Sequence, residues 1–223
     1  MLPRTLEPEV MDSAEEANDY DAMDHTAVNR AFVADFLAVW DGCGPILDAG
    51  TGTAQIPVEL CRQHPGAQVT GVDLAERMLA LGRANVARAG LERRVRLEHC
   101  DAKRLPFADG AFGAVISNSI VHHIPEPQVV LQEMVRVLAP NGTLFVRDLL
   151  RPDSLAALRR LVEKHTPGAN EHQKLMFADS LHAALRLDEF RALVAELGFD
   201  PAGVRQTTDR HWTWVAVRPP LAA

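Results

Sequence analysis

From residue 45 onward, short apolar runs alternate with segments of helical spacing, and no other feature limits the folds open to this chain so strongly. Residues 45–49 (PILDA), 67–73, 95–99, 114–118 and 143–148 read as strands. Residues 53–62, 75–89 and about 127–137 carry the 3.6-residue periodicity of helices between them, and a turn is expected at 140–142. Successive strand-helix units of this length build a parallel sheet with helices on both faces, because right-handed crossovers cover both sides of the strands. After Gly203 two further runs, VRQTT and WTWVAV, are separated by only a few polar residues, the signal of an antiparallel hairpin. The expected class is α/β, a doubly wound sheet that is mostly parallel and ends in an antiparallel C-terminal hairpin.

Upstream, the opening stretch to about Asp24 is acidic and aperiodic. Residues 25–40 then place Ala31, Phe32, Phe36, Leu37 and Trp40 at helical spacing, with Asp24 as the candidate cap. Downstream, one helix follows Pro152 and another covers 188–197, stopped by Gly198. Between them, residues 165–181 read as a long polar loop running into an apolar patch, the kind of loop that forms a lid or substrate wall. There is no repeat, low-complexity run or long linker, so the 223 residues are expected to form one domain: an N-terminal helical lid (1–40), a binding core (41–150), and substrate-side helices with the hairpin (151–223).

Composition excludes several classes. Hydrophobic residues make up 47% and charged residues 24%, as in a globular protein, and the balance of 30 acidic against 23 basic side chains, with no basic stripe, argues against nucleic acid as a partner. Cys43, Cys61 and Cys100 form no CxxC pair and are read as reduced thiols, so neither a disulfide framework nor a zinc knuckle is expected. The N-terminus has no signal-peptide pattern and no run reaches the length of a membrane span, which makes the cytoplasm the expected location without membrane insertion. Nothing in the chain points to a particular oligomeric state.

The chemistry concentrates in residues 46–57, ILDAGTGTAQIP, where a strand ends in Asp48 and turns through Gly50 and Gly52 into a helix. Glycine there lets backbone approach a ligand closely. In a dinucleotide site the third small residue would fall at position 55, which is Gln55, and Asp48 would stand against a pyrophosphate. A guest carrying an ammonium and a sulfonium suits that carboxylate better. The second strand ends in Asp73, where a carboxylate can accept from two ribose hydroxyls, and the third in Asp101, within the reach expected for an adenine amine. Three acidic strand tips thus line up for an adenosine-type ligand.

Together, the Asp48-Gly50-Gly52 turn, Asp73, Asp101, the strand AVISNSIVHHIP and the APNGTLFV turn resemble the class I S-adenosylmethionine-dependent methyltransferases, in the group similar to the ubiquinone and menaquinone C-methyltransferases, over about residues 20–148. The resemblance implies a Rossmann-like fold with S-adenosylmethionine as cofactor and a small-molecule methyl acceptor. It implies that Asp48, Ala49, Gly50, Thr51 and Gly52 meet the methionine end and that Asp73 holds the ribose. Leu74, Met78 and Ala102 would bracket the adenine, Asp101 its amine, Asn118 would face the methyl being transferred, and Tyr20 would belong to an N-terminal lid. Against these stand the plainer readings of a tight turn, helix caps and, for Met78, core packing.

His122 and His123 are the candidate catalytic residues: either a general base for an acceptor hydroxyl or pocket-shaping imidazoles. Metal binding by the pair is not expected, since adjacent residues rarely converge on one ion and no third ligand is in view. His211, between Asp209 and Trp212, is expected simply to pack in the hairpin. The readings left open are transfer of the methyl to carbon, oxygen or nitrogen, a binding module without turnover, and, disfavoured by Asp48, Gln55 and the hairpin, a nucleotide-dependent oxidoreductase.

Overall fold

The computed structural model describes residues 1–8, 10, 13–23 and 25–220, so Asp24 and its capping role lie outside the described residues. In chain order the elements are α1 (Ala14–Ala22), α2 (Thr26–Leu37), β1 (Ile46–Ala49), α3 (Gln55–Gln63), β2 (Val69–Asp73), α4 (Glu76–Arg88), β3 (Val95–His99) and β4 (Phe112–Asn118). There follow α5 (Pro127–Val137), β5 (Leu138–Leu149), α6 (Leu155–His165), α7 (Glu171–Ala183), α8 (Leu187–Glu196), β6 (Val204–Gln206) and β7 (His211–Val217), with a short 3-10 turn at Val121–His123 after β4.

The seven strands form one sheet in the order β3-β2-β1-β4-β5-β7-β6. The pairs among β1 to β5 are parallel, and β7 runs antiparallel to both β5 and β6, so the expected Rossmann-like sheet with its antiparallel hairpin is what the chain forms. Alternation along the central strands explains why both faces are covered. Leu47, Val115, Leu144 and Val146 pack with α5 and α8 and with Trp212 and Trp214, whereas Ile46, Ala114, Ile116 and Phe145 pack with Phe32, Val33 and Phe36 of α2 and with α3. Phe190 stacks on Trp212 with ring centres 3.6 Å apart, a contact worth about 0.5–1.5 kcal/mol beyond the area it buries. The turn expected at 140–142 is present, but inside β5: the register jumps from Phe112↔Leu138 to Ala114↔Thr143, and Asn141 takes φ 63°.

Two expectations need correction. Most of the polar stretch 165–181 is the helix α7, begun by a capping box in which Asn170 accepts from Gln173 N (2.8 Å) and the Gln173 side chain accepts from Asn170 N (3.1 Å). Its apolar residues are spread around the helix, from Leu175 at 58% exposure to fully buried Leu181, so no stripe marks it in the sequence. Similarly, the opening stretch contains α1, which docks through Ala17 and Tyr20 onto Ala75 and Met78. Two contacts do not make a periodicity. Ahead of α1, residues 2–5 are tied across the far side: Leu2 N donates to Asp153 O (3.0 Å) and Thr5 N to His182 O (3.2 Å). Among the described residues no helix is long and apolar enough to cross a membrane.

Where β4 begins, Gly113 passes so close to the lead-in to β1 that an added Cβ would stand 2.2 Å from the Cys43 carbonyl oxygen and 2.9 Å from Gly44 Cα. Backbone cannot give way as a side chain can. Gly113→Ala is expected to lower the unfolding free energy in urea by about 1–3 kcal/mol. Gly66→Ala, whose methyl would meet only the His64 ring at 3.5 Å, should stay within about 0.5 kcal/mol of wild type.

Candidate functional site

The carboxyl ends of the central strands open onto a cleft at the point where the strand order reverses between β1 and β4. Gly50 and Gly52 line it with φ 76° and 53°, and Gly50 N and Thr51 N both donate to Val72 O at 2.9 Å, which tucks the turn under β2. A Cβ on Gly50 would lie 1.9 Å from Ile120 Cγ2, so close approach of the chain after β4 is what demands glycine there.

Asp73 also lines the cleft, and its carboxylate is already at work. Oδ2 accepts from Gly52 N (2.7 Å) and Oδ1 from Ala75 N (2.9 Å), joining the glycine turn to the start of α4. Cap and ligand contact are therefore compatible, because a carboxylate has about four acceptor positions. Leu74, Met78, Asp101, Ala102 and Tyr20 line the same space. Met78 is at once core and wall, packed with Ala17 and Ala75 beneath its exposed edge. Asp101 Oδ1 accepts from Lys103 N (2.9 Å) and lies 3.1 Å from Lys103 Nζ. Burial, with the charges of Asp73, Asp48 and Asp21, pushes the Tyr20 phenol up to about 12, so it stays a donor at neutral pH.

Asp48, Ala49 and Thr51 do not line the cleft but sit directly under it, at the end of β1 and in the following turn. Asp48 is 1% exposed, and neither carboxylate oxygen has a hydrogen-bond partner among the described residues. Burial pushes its pKa up to about 7, with nearby Thr51 opposing the shift and the Asp73 charge adding to it. A carboxylate in that state is satisfied by a proton or by a cationic donor.

Asn118 and Ser119, at the tip of β4, line the cleft and also a second cavity of about 1360 Å³, as do Tyr20 and His123. Asn118 Oδ1 is buried without a partner among the described residues, and Ser119 takes φ 60°, a left-handed backbone that is costly away from glycine. The outer walls of the second cavity come from Glu7 and Pro8 and from α7, including His172, Met176 and Ser180. The segment expected as a loop therefore lines this cavity as a helix.

His122 lines only the second cavity. It is 2% exposed, and its Nδ1 lies 2.5 Å from Asp148 Oδ1, while Asp148 Oδ2 accepts from Val121 N (2.6 Å). Burial alone would lower the His122 pKa, but Asp148 and Glu7 outweigh it and raise the value. His123 is driven the other way, down to about 3, by burial and by its neighbour's charge, and is neutral at physiological pH. Contrary to expectation the two rings do converge, with centres 4.2 Å apart, and a third group faces them: Glu7 Oε1 lies 3.3 Å from His122 Nε2 and 3.1 Å from His123 Nδ1. Nothing in the aperiodic N-terminus marks Glu7, nor is Asp148 distinguishable from any other strand-end acid. Arg4 fixes the segment carrying Glu7 by donating to the carbonyls of Ala183 (2.7 Å), His122 (3.1 Å) and Ile124 (3.1 Å). His211 packs in the hairpin as expected, bonded to Thr208 Oγ1 (2.9 Å), though it also borders the second cavity.

Comparison with known proteins agrees with this geometry. Residues 47–146 match the methyltransferase domain family. The ubiquinone/menaquinone biosynthesis C-methyltransferase UbiE of Desulfotalea psychrophila is 38% identical over 111 residues, covering 50% of this chain and 44% of that protein. The 27-O-demethylrifamycin SV methyltransferase of Amycolatopsis mediterranei is 28% identical over 176 residues, covering 78% and 61%. The chain thus spans about half the length of the curated relatives it matches. A SAM-dependent methyltransferase from Aquifex aeolicus superposes over 92% of this chain and 98% of its own, with a TM-score of 0.65 and 16% identity. With the strand order, the antiparallel β7 and the matched segment all in agreement, the chain has the fold of the class I S-adenosylmethionine-dependent methyltransferases.

Proposed function

We propose that the chain binds S-adenosylmethionine in the first cleft and transfers its methyl group to a small molecule held in the second cavity. The observation that carries this reading is the pair of cavities meeting at Asn118 and Ser119, beside a buried carboxylate without a partner. When bound, the cofactor supplies a methyl group on a sulfonium, an electrophile with a neutral leaving group. The chain's part is then to align, to desolvate and to keep water out.

In this reading Asp48 stays ionised beneath the methionine ammonium, and the backbone from Ala49 through Thr51 to Gly52 follows that end of the ligand. Asp73 accepts from the ribose while holding the glycine turn. Leu74, Met78 and Ala102 bracket the adenine, and Asp101 accepts from its amine. Asn118 faces the methyl, and Tyr20 on α1 closes the cleft as a lid. His122 and His123 stand in the acceptor wall, where a hydroxyl acceptor would call on an imidazole and an activated carbon or basic nitrogen would not. Residues 1–40, 41–150 and 151–223 would then be lid, cofactor core and acceptor side of one domain. The acceptor half is where this chain's own selectivity would reside. Three free cysteines support work in a reducing compartment, the cytoplasm.

Gln55 speaks against an oxidoreductase. Its side chain accepts from Asn29 Nδ2 and donates to Asp21 Oδ1, both at 3.2 Å, tying α1 and α2 to the start of α3 where a dinucleotide site would need a small residue. Calorimetry should accordingly give binding of S-adenosylhomocysteine and none of NAD. Incubation of S-adenosylmethionine with pooled small metabolites, read by mass, should give a methylated product and S-adenosylhomocysteine. Cofactor binding without product across chemically diverse pools would point to a module without turnover, and tighter binding of NAD would overturn the assignment.

Asp48 sets a pH dependence. Its carboxyl, at about 7 in the ligand-free protein, must ionise to meet an ammonium, so affinity for S-adenosylhomocysteine should fall by roughly tenfold from pH 8 to pH 6. Asp48→Asn should bind weakly at both pH values. Because the folded pKa lies above the unfolded one, the ionised group costs the fold stability above pH 7, and that cost fades as pH falls toward 4. The ligand-free Asn variant should therefore melt higher than wild type at pH 8, with the gap closing in acid.

Asp73→Ala should weaken S-adenosylhomocysteine binding by more than tenfold, since a charge-assisted hydrogen bond contributes roughly 1.5–3 kcal/mol. It should also lower the melting temperature, because Gly52 N and Ala75 N lose their acceptor. Unchanged affinity in a folded variant would reduce Asp73 to a cap.

A further inference from the structure

We propose that Glu7, His122 and His123 form a site for one divalent first-row transition metal ion of the zinc type, in the wall of the second cavity. Glu7 Oε1, His122 Nε2 and His123 Nδ1 lie within 4.8 Å of one another, and all three atoms are buried with no hydrogen-bond partner among the described residues. They are close enough to bond but are not aligned on one another, as atoms are when they aim at a common point. Four ligands about 2.0–2.1 Å from a zinc ion are separated by edges of about 3.3 Å. The separations of 3.3 Å and 3.1 Å from Glu7 Oε1 to the two imidazole nitrogens match such edges.

The surroundings fix the ligand atoms. Asp148 accepts from Val121 N and Leu149 N, both at 2.6 Å, and so is ionised, which makes His122 Nδ1 the protonated nitrogen of their 2.5 Å contact. With Nδ1 turned to Asp148, Nε2 is the His122 nitrogen that faces Glu7 and His123 and would ligate the ion once its proton is displaced, in the carboxylate-imidazole-metal arrangement that orients metal-binding histidines. As the side chains stand, none of the three atoms makes a hydrogen bond to another within the cluster, whereas one ion would satisfy all three. The charges facing the cluster are Asp148 and Asp179 on the acidic side and Arg4 on the basic side.

Two imidazoles and a carboxylate suit zinc, cobalt or iron(II), whereas calcium and magnesium prefer oxygen alone. Three protein ligands leave a coordination position open. Since all three residues line the second cavity, that position is available to an oxygen of the acceptor, a role that rests on the methyl-transfer reading although binding of the ion does not.

The test uses the full chain, stripped with chelator and titrated with Zn²⁺ against a chromophoric competitor, then loaded with Co²⁺ for its visible spectrum. One tight equivalent of Zn²⁺ is expected, with intense ligand-field bands for Co²⁺. Glu7→Gln and His123→Phe should each lose affinity by more than the roughly 10–100-fold that removal of a supporting group costs, and Asp148→Asn by about that amount. Should a variant fail to fold, Co²⁺-loaded wild type decides alone, because two imidazole N–H protons should appear as paramagnetically shifted resonances. No tight equivalent in wild type, unchanged affinity in a folded Glu7→Gln or His123→Phe, or a Co²⁺ protein without shifted imidazole protons would each overturn the site. S-adenosylhomocysteine calorimetry on the same preparation separates the two ideas: that ligand bound without metal removes only the ion, and metal bound without that ligand removes only the methyl-transfer reading.

Discussion

The buried carboxylate of Asp148 holds the functional half of the molecule in register. It sits near the end of β5, in the middle of the sheet, and accepts from Val121 N, His122 N, Leu149 N and the His122 ring. Through these bonds the turn after β4 is fastened to the neighbouring strand, and with it Ser119, Ile120 and the two histidines. Ile120 in turn presses on Gly50 from above, so the shape of the glycine turn at the end of β1 depends on where that connection lies. A charge with this many donors is stable when buried because its desolvation is offset bond by bond. Removing it would take this acceptor from three backbone N–H groups, those of Val121, His122 and Leu149.

What could be read from the chain alone follows from the range of the forces involved. Strand-turn-helix units are local, and so Asp48, Gly50, Gly52, Asp73 and Asp101 were legible as strand ends and the turns that follow them. The hairpin was legible for the same reason, since its partners are close in sequence. Glu7 was not, because it reaches the histidines through the Arg4 guanidinium and the Thr5 backbone N–H, which tie the segment to residues distant in sequence, and nothing in its own neighbourhood signals the destination. Nor was α7: its start is set by the Asn170 capping box, but its apolar residues lack a common face, and a polar helix without periodicity reads as a loop. Local chemistry indicated its edge and tertiary packing decided the rest.

Stability has been conceded at several points around the clefts, and also in β7, where Trp212 Nε1 and Trp214 Nε1 are buried with no hydrogen-bond partner among the described residues. Ser119 and Ala54 take left-handed backbone without being glycine, Asn118 Oδ1 is buried unsatisfied, and Asp48 carries a carboxyl that would rather be neutral. Each is adjacent to the cleft or to the turn beneath it. Strained backbone and unsatisfied groups gathered beside one opening are the pattern of a surface prepared for a guest.

The wall formed by Tyr20, Asn118, Ser119 and His123 belongs to both cavities. Side chains that settle into one arrangement for the first occupant are already settled for the second, so the second loses less freedom on arriving. Such coupling is reciprocal: if the occupant of the inner cleft tightens the outer one by a given factor, the outer occupant tightens the inner by the same factor. A shared partition therefore gives the two sites a thermodynamic memory of each other, and would favour an ordered sequence of entry and departure without any hinge or subunit to impose it.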